Sequence, residues 1–157
     1  MKLEERLNAF VKLNQILHDL SSTEYTEIIT QAAKNNHWFN APNVEQAILG
    51  LIHLTEPIKM KSWLNTYDTK LVKQKTIGLI MAGNVPLVGF HDLMCILLSG
   101  HKAVIKLSSQ DLFLMQWIIQ KISKIEPKFI KQINICDQLK DMDAVIATGS
   151  NNTARYF

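Results

Sequence analysis

The chain has 157 residues, 47% of them hydrophobic and 20% charged, with a formal net charge of +3 from lysines scattered along its length. That composition supports a globular fold with a real core and excludes a disordered tail, while the absence of a clustered basic block argues against nucleic acid as a partner. The longest apolar run, Ile77 to Phe90, is interrupted by Asn84 and Pro86 and is too short to span a bilayer.

The start, Met1-Lys2-Leu3-Glu4-Glu5-Arg6, mixes charges of both signs and is no signal peptide. Leu3, Leu7, Phe10, Val11, Leu17 and Leu20 recur with a helical period and predict an amphipathic helix over residues 2–20. Ser21 and Glu24 are spaced as a capping box for a second helix running to about Asn35. A third helix is predicted to start at Asn40-Ala41-Pro42, to bury Val44, Ile48 and Leu51, and to be closed by Pro57. A short fourth helix is expected over residues 58–67, and the polar stretch from Asp68 to Lys75 reads as a linker. The expected division is therefore a helical segment, residues 1–68, and an α/β segment, residues 75–157.

From Lys75 onward the period changes to short apolar runs separated by helices, the mark of a mostly parallel sheet covered on both faces. Four strands are predicted, at Thr76–Ala82, Ala103–Leu107, Gln132–Cys136 and Asp143–Ala147. Between them, a deeply buried helix is predicted from Pro86 to Ser99 with Gly100 at its C-terminal cap. Another is expected from about Ser108-Ser109-Gln110-Asp111 to just before Pro127. The fold class is thus α/β: helices first, then a Rossmann-like open sheet of about four strands, incomplete at its C-terminus. A sheet that stops soon after Gly149-Ser150 has opened another helix reads as the N-terminal part of a longer protein. Apolar surface left open on such a sheet invites self-association.

Three strand ends carry the chemistry. Gly83, Gly149 and Ser150 stand at strand-to-helix turns, where free backbone N–H groups suit a phosphate or another anion; a tight turn without ligand explains each glycine equally well. Asn84, beside Gly83, is placed either to cap the helix expected at Pro86 or to donate a hydrogen bond to a developing oxyanion, and spacing by itself favours the cap. Lys106 ends an apolar strand, so its ammonium emerges at the same edge to meet a ribose or phosphate, or simply to reach water. Ser108 and Ser109 follow as helix caps, cofactor ligands or both. His91 and Asp92 are adjacent on a helix and read as first-turn and packing residues. Cys95 reads as an inert core thiol and Cys136 as a strand-end thiol, and their spacing fits a reducing cytoplasm better than a disulfide or metal site. Trp38, Trp63 and Trp117 read as packing residues.

Together these pieces resemble the aldehyde dehydrogenase superfamily, and more closely its LuxC-like acyl-CoA reductase branch. Gly83-Asn84-Val85-Pro86 is similar to the superfamily's Asn-Phe-Pro motif, whose asparagine donates to the thioester or aldehyde oxygen. Val104-Ile105-Lys106-Leu107-Ser108-Ser109 is similar to its Lys-Pro-Ser-Glu segment, and Ala147-Thr148-Gly149-Ser150 to its Phe-Thr-Gly-Ser loop beside the cofactor pyrophosphate. The helical front, including His37-Trp38-Phe39-Asn40-Ala41-Pro42, resembles the acyl-CoA reductase branch in particular.

The resemblance implies an oxidoreductase that converts an acyl-CoA or other acyl thioester to an aldehyde with NADP or NAD. It places Asn84 as oxyanion donor, Lys106, Ser108 and Ser109 at the adenosine, and Thr148, Gly149 and Ser150 near the pyrophosphate. Ser109 stands where the family has a glutamate that favours NAD, so NADP is acceptable; Arg155 is a further candidate for a phosphate. Neither Cys95 nor Cys136 matches the family's nucleophilic cysteine, which lies well downstream of the Thr-Gly-Ser loop, so these residues alone are expected to be inactive. The reading of a different class is a non-catalytic nucleotide-binding or interaction module whose glycine loops serve only structure or regulation.

Overall fold

The computed structural model describes residues 1–67 and 73–148. Four helices come first: α1 (Leu3–His18), α2 (Ser22–Asn35), α3 (Ala41–Leu54) and α4 (Pro57–Leu64). Their ends follow from local chemistry. The Glu5 carboxylate accepts the Lys2 N–H at 2.7 Å, Ser21 and Glu24 form the reciprocal capping box, Asn40 accepts from the Asn43 N–H, and Glu56 caps α4 ahead of Pro57. The fourth helix ends at Leu64, short of the Tyr67 expected from sequence.

The α/β part follows as β1 (Thr76–Ile80), α5 (Phe90–Leu98), β2 (Lys102–Lys106), α6 (Leu112–Ile125), β3 (Ile133–Ile135) and β4 (Ala144–Ala147). Single-turn 3₁₀ segments at Ser109–Asp111 and Pro127–Lys131 bracket α6. All three strand pairings are parallel and the order is β3-β2-β1-β4, so β1 is central and the chain crosses the sheet between β3 and β4. Ile77 and Leu79 of β1 and Ala103 and Ile105 of β2 are buried at alternate positions, as a pleated strand beneath a helix requires. The opposite face is closed over Gly78, where an added Cβ would stand 2.8 Å from Leu139 Cδ1 and 3.0 Å from Met142 Cγ.

The core runs without a break from the first helices into the sheet. Phe10 of α1 is fully buried, edge-on to Phe90 of α5 at 6.1 Å between ring centroids and 6.0 Å from Phe129. Fully burying such a side chain stabilises by about 3 kcal/mol, with a further ~1 kcal/mol from edge-on ring geometry. Asn14 supplies the polar counterpart: its Nδ2 donates to the Ile52 carbonyl at 2.7 Å and to Thr55 Oγ1 at 3.1 Å, locking α1 to the end of α3.

Two boundaries differ from the sequence reading. Strand β1 ends at Ile80, although the Met81 N–H still donates to the Lys106 carbonyl at 3.1 Å. The helix expected from Pro86 begins at Phe90, with Gly89 as N-cap, because Leu87 sits at φ +60°, outside the right-handed helical region. Gly100, at φ +87°, ends α5 as expected: its N–H donates to the Leu97 carbonyl and the His101 N–H to that of Ile96.

Candidate functional site

Parallel register brings the strand ends together. Ile80 pairs with Lys106 on one side and with Ala147 on the other, so the segments that follow β1, β2 and β4 emerge side by side at the carboxyl edge of the sheet. This is the edge where open α/β sheets hold their ligands.

The segment after β1 is a loop over residues 81–89. Val88 and Phe90 close turns onto the carbonyls of Val85 and Leu87, and Gly89 has no room for a side chain because Met81 Cγ and Sδ lie 2.7 Å from where its Cβ would be. Asn84 is exposed near the apex and caps no helix, since α5 starts six residues later behind Gly89; the capping role favoured by spacing is not what the fold uses. The loop is held from the side by Asp111, whose Oδ2 accepts the Leu87 N–H at 2.7 Å. Asp111 is only 2% exposed, and its Oδ1 has no partner among the described residues. Burial pushes its carboxyl up to about 7, with the Leu87 N–H pulling the other way.

The segment after β2 presents Lys106 and Ser109 to solvent and leaves Ser108 half-buried against Gly83. Ser108 caps the 3₁₀ turn by accepting the Gln110 N–H at 3.3 Å. Among the described residues Lys106 makes no ion pair, and Ser108 lies against the Gly83 turn. A cation and hydroxyls are donor types that suit a phosphorylated ribose.

At the end of β4, the Thr148 hydroxyl lies 3.2 Å from Asp92 Oδ2 and 3.3 Å from the Ile80 carbonyl, able to donate to either. Asp92 in turn approaches its neighbour, with His91 Nδ1 3.5 Å from Asp92 Oδ1, and His91 Nε2 lies 3.7 Å from Cys95 Sγ. Adjacent helix residues were expected not to meet; the first turn of α5 lets these two do so by side-chain rotation. Burial and the Asp92 charge raise the Cys95 thiol, the opposite of what a resting thiolate nucleophile needs.

A groove of about 400 Å³ runs beside Asn84, between the start of α3 and the 81–89 loop. Its walls include Trp38, Asn43, Gln46, Val85 and Pro86. Trp38, expected to pack, is 74% exposed there. A second, more apolar groove of about 490 Å³ passes Trp63, Tyr67, Cys95 and Ile146.

Sequence reasoning missed Asp111. An aspartate just before an apolar helix has the pattern of an N-cap, yet its side chain caps nothing in α6 and reaches instead to a loop 24 residues earlier. No local pattern carries that signal. Gly149, Ser150 and Arg155 lie outside the described residues. Among the described residues no helix is long and apolar enough to cross a membrane.

The family model described as acyl-CoA reductase (LuxC) matches residues 14–157. No curated protein and no solved structure matches the chain.

Proposed function

The chain belongs to the LuxC acyl-CoA reductase family, and from that premise we propose that residues 75–157 are the nicotinamide-nucleotide-binding part of an enzyme reducing an acyl thioester to an aldehyde. Residues 1–68 buttress it as a helical segment. The observation that carries this reading is the register of Ile80 with Lys106, with Gly83 seated on Ser108: two strand-end segments, one bearing an exposed carboxamide and the other an exposed cation and hydroxyls, share a single edge.

In this reading Lys106, Ser108 and Ser109 hold the adenosine ribose and any phosphate on it, and the buried Gly83 turn seats Ser108 in place. Thr148, Gly149 and Ser150 contribute at the pyrophosphate. When bound, the cofactor supplies the hydride. Asn84 donates its side-chain N–H to the thioester oxygen, where charge develops as a thiolate adds to the carbonyl. The groove lined by Trp38, Asn43 and Gln46 receives the thioester end of the substrate. With Ser109 in place of a carboxylate, a ribose 2′-phosphate meets no repulsion, which favours NADP over NAD.

The nucleophile comes from outside residues 1–157. Cys95 is half-buried with a raised thiol, and Cys136 follows β3, the outermost strand beyond β2.

Fluorescence titration of the chain with NADPH and NADH tests the site. Saturable binding of NADPH, weakened at least tenfold in Lys106→Ala, is the expected result; equal affinity in the two proteins removes Lys106 from the site. With dodecanoyl-CoA and NADPH together, absorbance at the reduced-nicotinamide band is expected to stay constant, and measurable aldehyde would show that a nucleophile is present after all.

A further inference from the structure

We propose that Asp111 is a positioning residue that ties the loop carrying Asn84 to the segment carrying Lys106, Ser108 and Ser109, so that filling one segment sets the geometry of the other. The coupling rests on the reading of those two segments as oxyanion donor and nucleotide site.

Three independent features lead here. Asp111 Oδ2 accepts the Leu87 N–H at 2.7 Å across 24 residues, while the backbone N of Asp111 lies within 3.2 Å of where a Cβ on Gly83 would stand. One residue thereby bonds the Asn84 loop at Leu87 and lies near its other shoulder at Gly83. Leu87 sits at φ +60°, a region leucine rarely occupies, and its N–H donates to Asp111. The loop around Asn84 is therefore tied to the β2 side as well as to α5, whose first residue donates its N–H to the Leu87 carbonyl.

The third feature is Oδ1, buried without a partner among the described residues. A carboxyl costs more to bury than an amide or a hydroxyl at the same place. A buried carboxyl with one free oxygen remains titratable, with its midpoint pushed up to about 7 by burial. No charged side chain of α2, α6 or the strand-end loops, among the described residues, contributes to that shift. Turn Ser109–Asp111 is also tied to the end of α2, where the C-cap Asn36 donates from Nδ2 to the Gln110 carbonyl at 3.3 Å.

The experiment follows backbone amide signals of the ¹⁵N-labelled chain. The Leu87 amide is expected to be protected from exchange in the wild type and to keep that protection in Asp111→Asn, since the amide oxygen still accepts. In Asp111→Val, exchange at residues 84–88 is expected to accelerate at least tenfold while β1 and α1 remain protected. Saturating NADPH should shift signals at 106–109 and at 83–88 in the wild type and in Asp111→Asn, but only at 106–109 in Asp111→Val. Shifts reaching Asn84 as strongly in Asp111→Val as in the wild type overturn the proposal. Absence of any NADPH shift at 106–109 in the wild type overturns the nucleotide-site reading and the coupling with it, whereas exchange at residues 84–88 in Asp111→Val judges the Asp111–Leu87 tie by itself. Should Asp111→Val fail to fold, Asp111→Ala takes its place with the same expected and overturning results.

Discussion

Gly83 and Ser108 are in direct contact: a Cβ added to Gly83 would lie 2.3 Å from Ser108 Oγ and 2.6 Å from Ser108 Cβ. The two strand-end segments at the carboxyl edge thus touch through the one residue type that allows it. Ser108 cannot swing away cheaply, because its Oγ caps the turn that begins with Ser109.

Gly83→Ala is therefore expected to part the two segments without unfolding the sheet. NADPH affinity should fall about tenfold, equivalent to ~1.4 kcal/mol, with Tm lowered by a few degrees. Calorimetric titration beside a thermal melt checks this, and unchanged affinity would show that the contact does not shape the site.

The buried Asp111 carboxyl makes a signed contribution to pH-dependent stability. Burial raises its folded-state value to about 7 from the ordinary aspartate value of 3.8. The native state then holds a proton that the unfolded chain has released, so this contribution is fully present below about pH 4 and is lost as the pH climbs to about 7. Glu5 and Glu24, lowered by bonds to Lys128 and Ser21, act in the opposite sense and lose their contribution on acidification. Urea unfolding between pH 5 and pH 8 should show stability falling toward pH 7 in the wild type and a flatter profile in Asp111→Asn; identical profiles would count against a raised carboxyl.

Asn14 is 6% exposed and bridges α1 to the last turn of α3 through the Ile52 carbonyl and Thr55. Asn14→Ala leaves buried acceptors unmatched and is expected to cost about 2–3 kcal/mol. The midpoint of urea unfolding should drop while the slope is unchanged.

Gly100 sits at φ +87°, and a Cβ there would stand 2.3 Å from Arg6 Nη1. Arg6 is 7% exposed and donates from Nη1 to the Met1 carbonyl at 3.1 Å, so its guanidinium has little freedom to withdraw. Gly100→Ala should cost about 1–3 kcal/mol from backbone strain and displacement together. A thermal melt within one degree of the wild type would refute this.

Cys95 is expected to behave as an ordinary, hindered thiol. In a Cys136→Ser background, its reaction with a disulfide reagent at pH 7.5 should be at least tenfold slower than that of free glutathione, and should accelerate as the pH rises. Fast, pH-independent reaction would mean that His91, 3.7 Å away, holds a thiolate there.

Much of the fold was legible in the chain itself. Helical periods at Leu7, Phe10 and Leu17, the Ser21–Glu24 box, the caps Asn40 and Gly100, and the switch to short apolar runs after Lys75 are local signals, and each element they mark is present. Local propensity and burial agree in those segments, so three to five neighbouring residues suffice to specify them. The family resemblance was legible for a related reason: its motifs sit at strand ends, where a few residues in order identify the element and the turn.

What the tertiary structure alone decided concerns residues distant in sequence. That the loop before α5 is tied at Leu87 depends on Asp111, 24 residues later, and that Gly83 must be glycine depends on Ser108 arriving beside it. Trp38, an apolar residue by composition, stands in the open beside Asn84 because nothing in the described structure covers that end of α3. Such contacts are set by the parallel register of β1 and β2, which places Ile80 opposite Lys106; a register is a property of two chain segments brought together, and no stretch of sequence contains it.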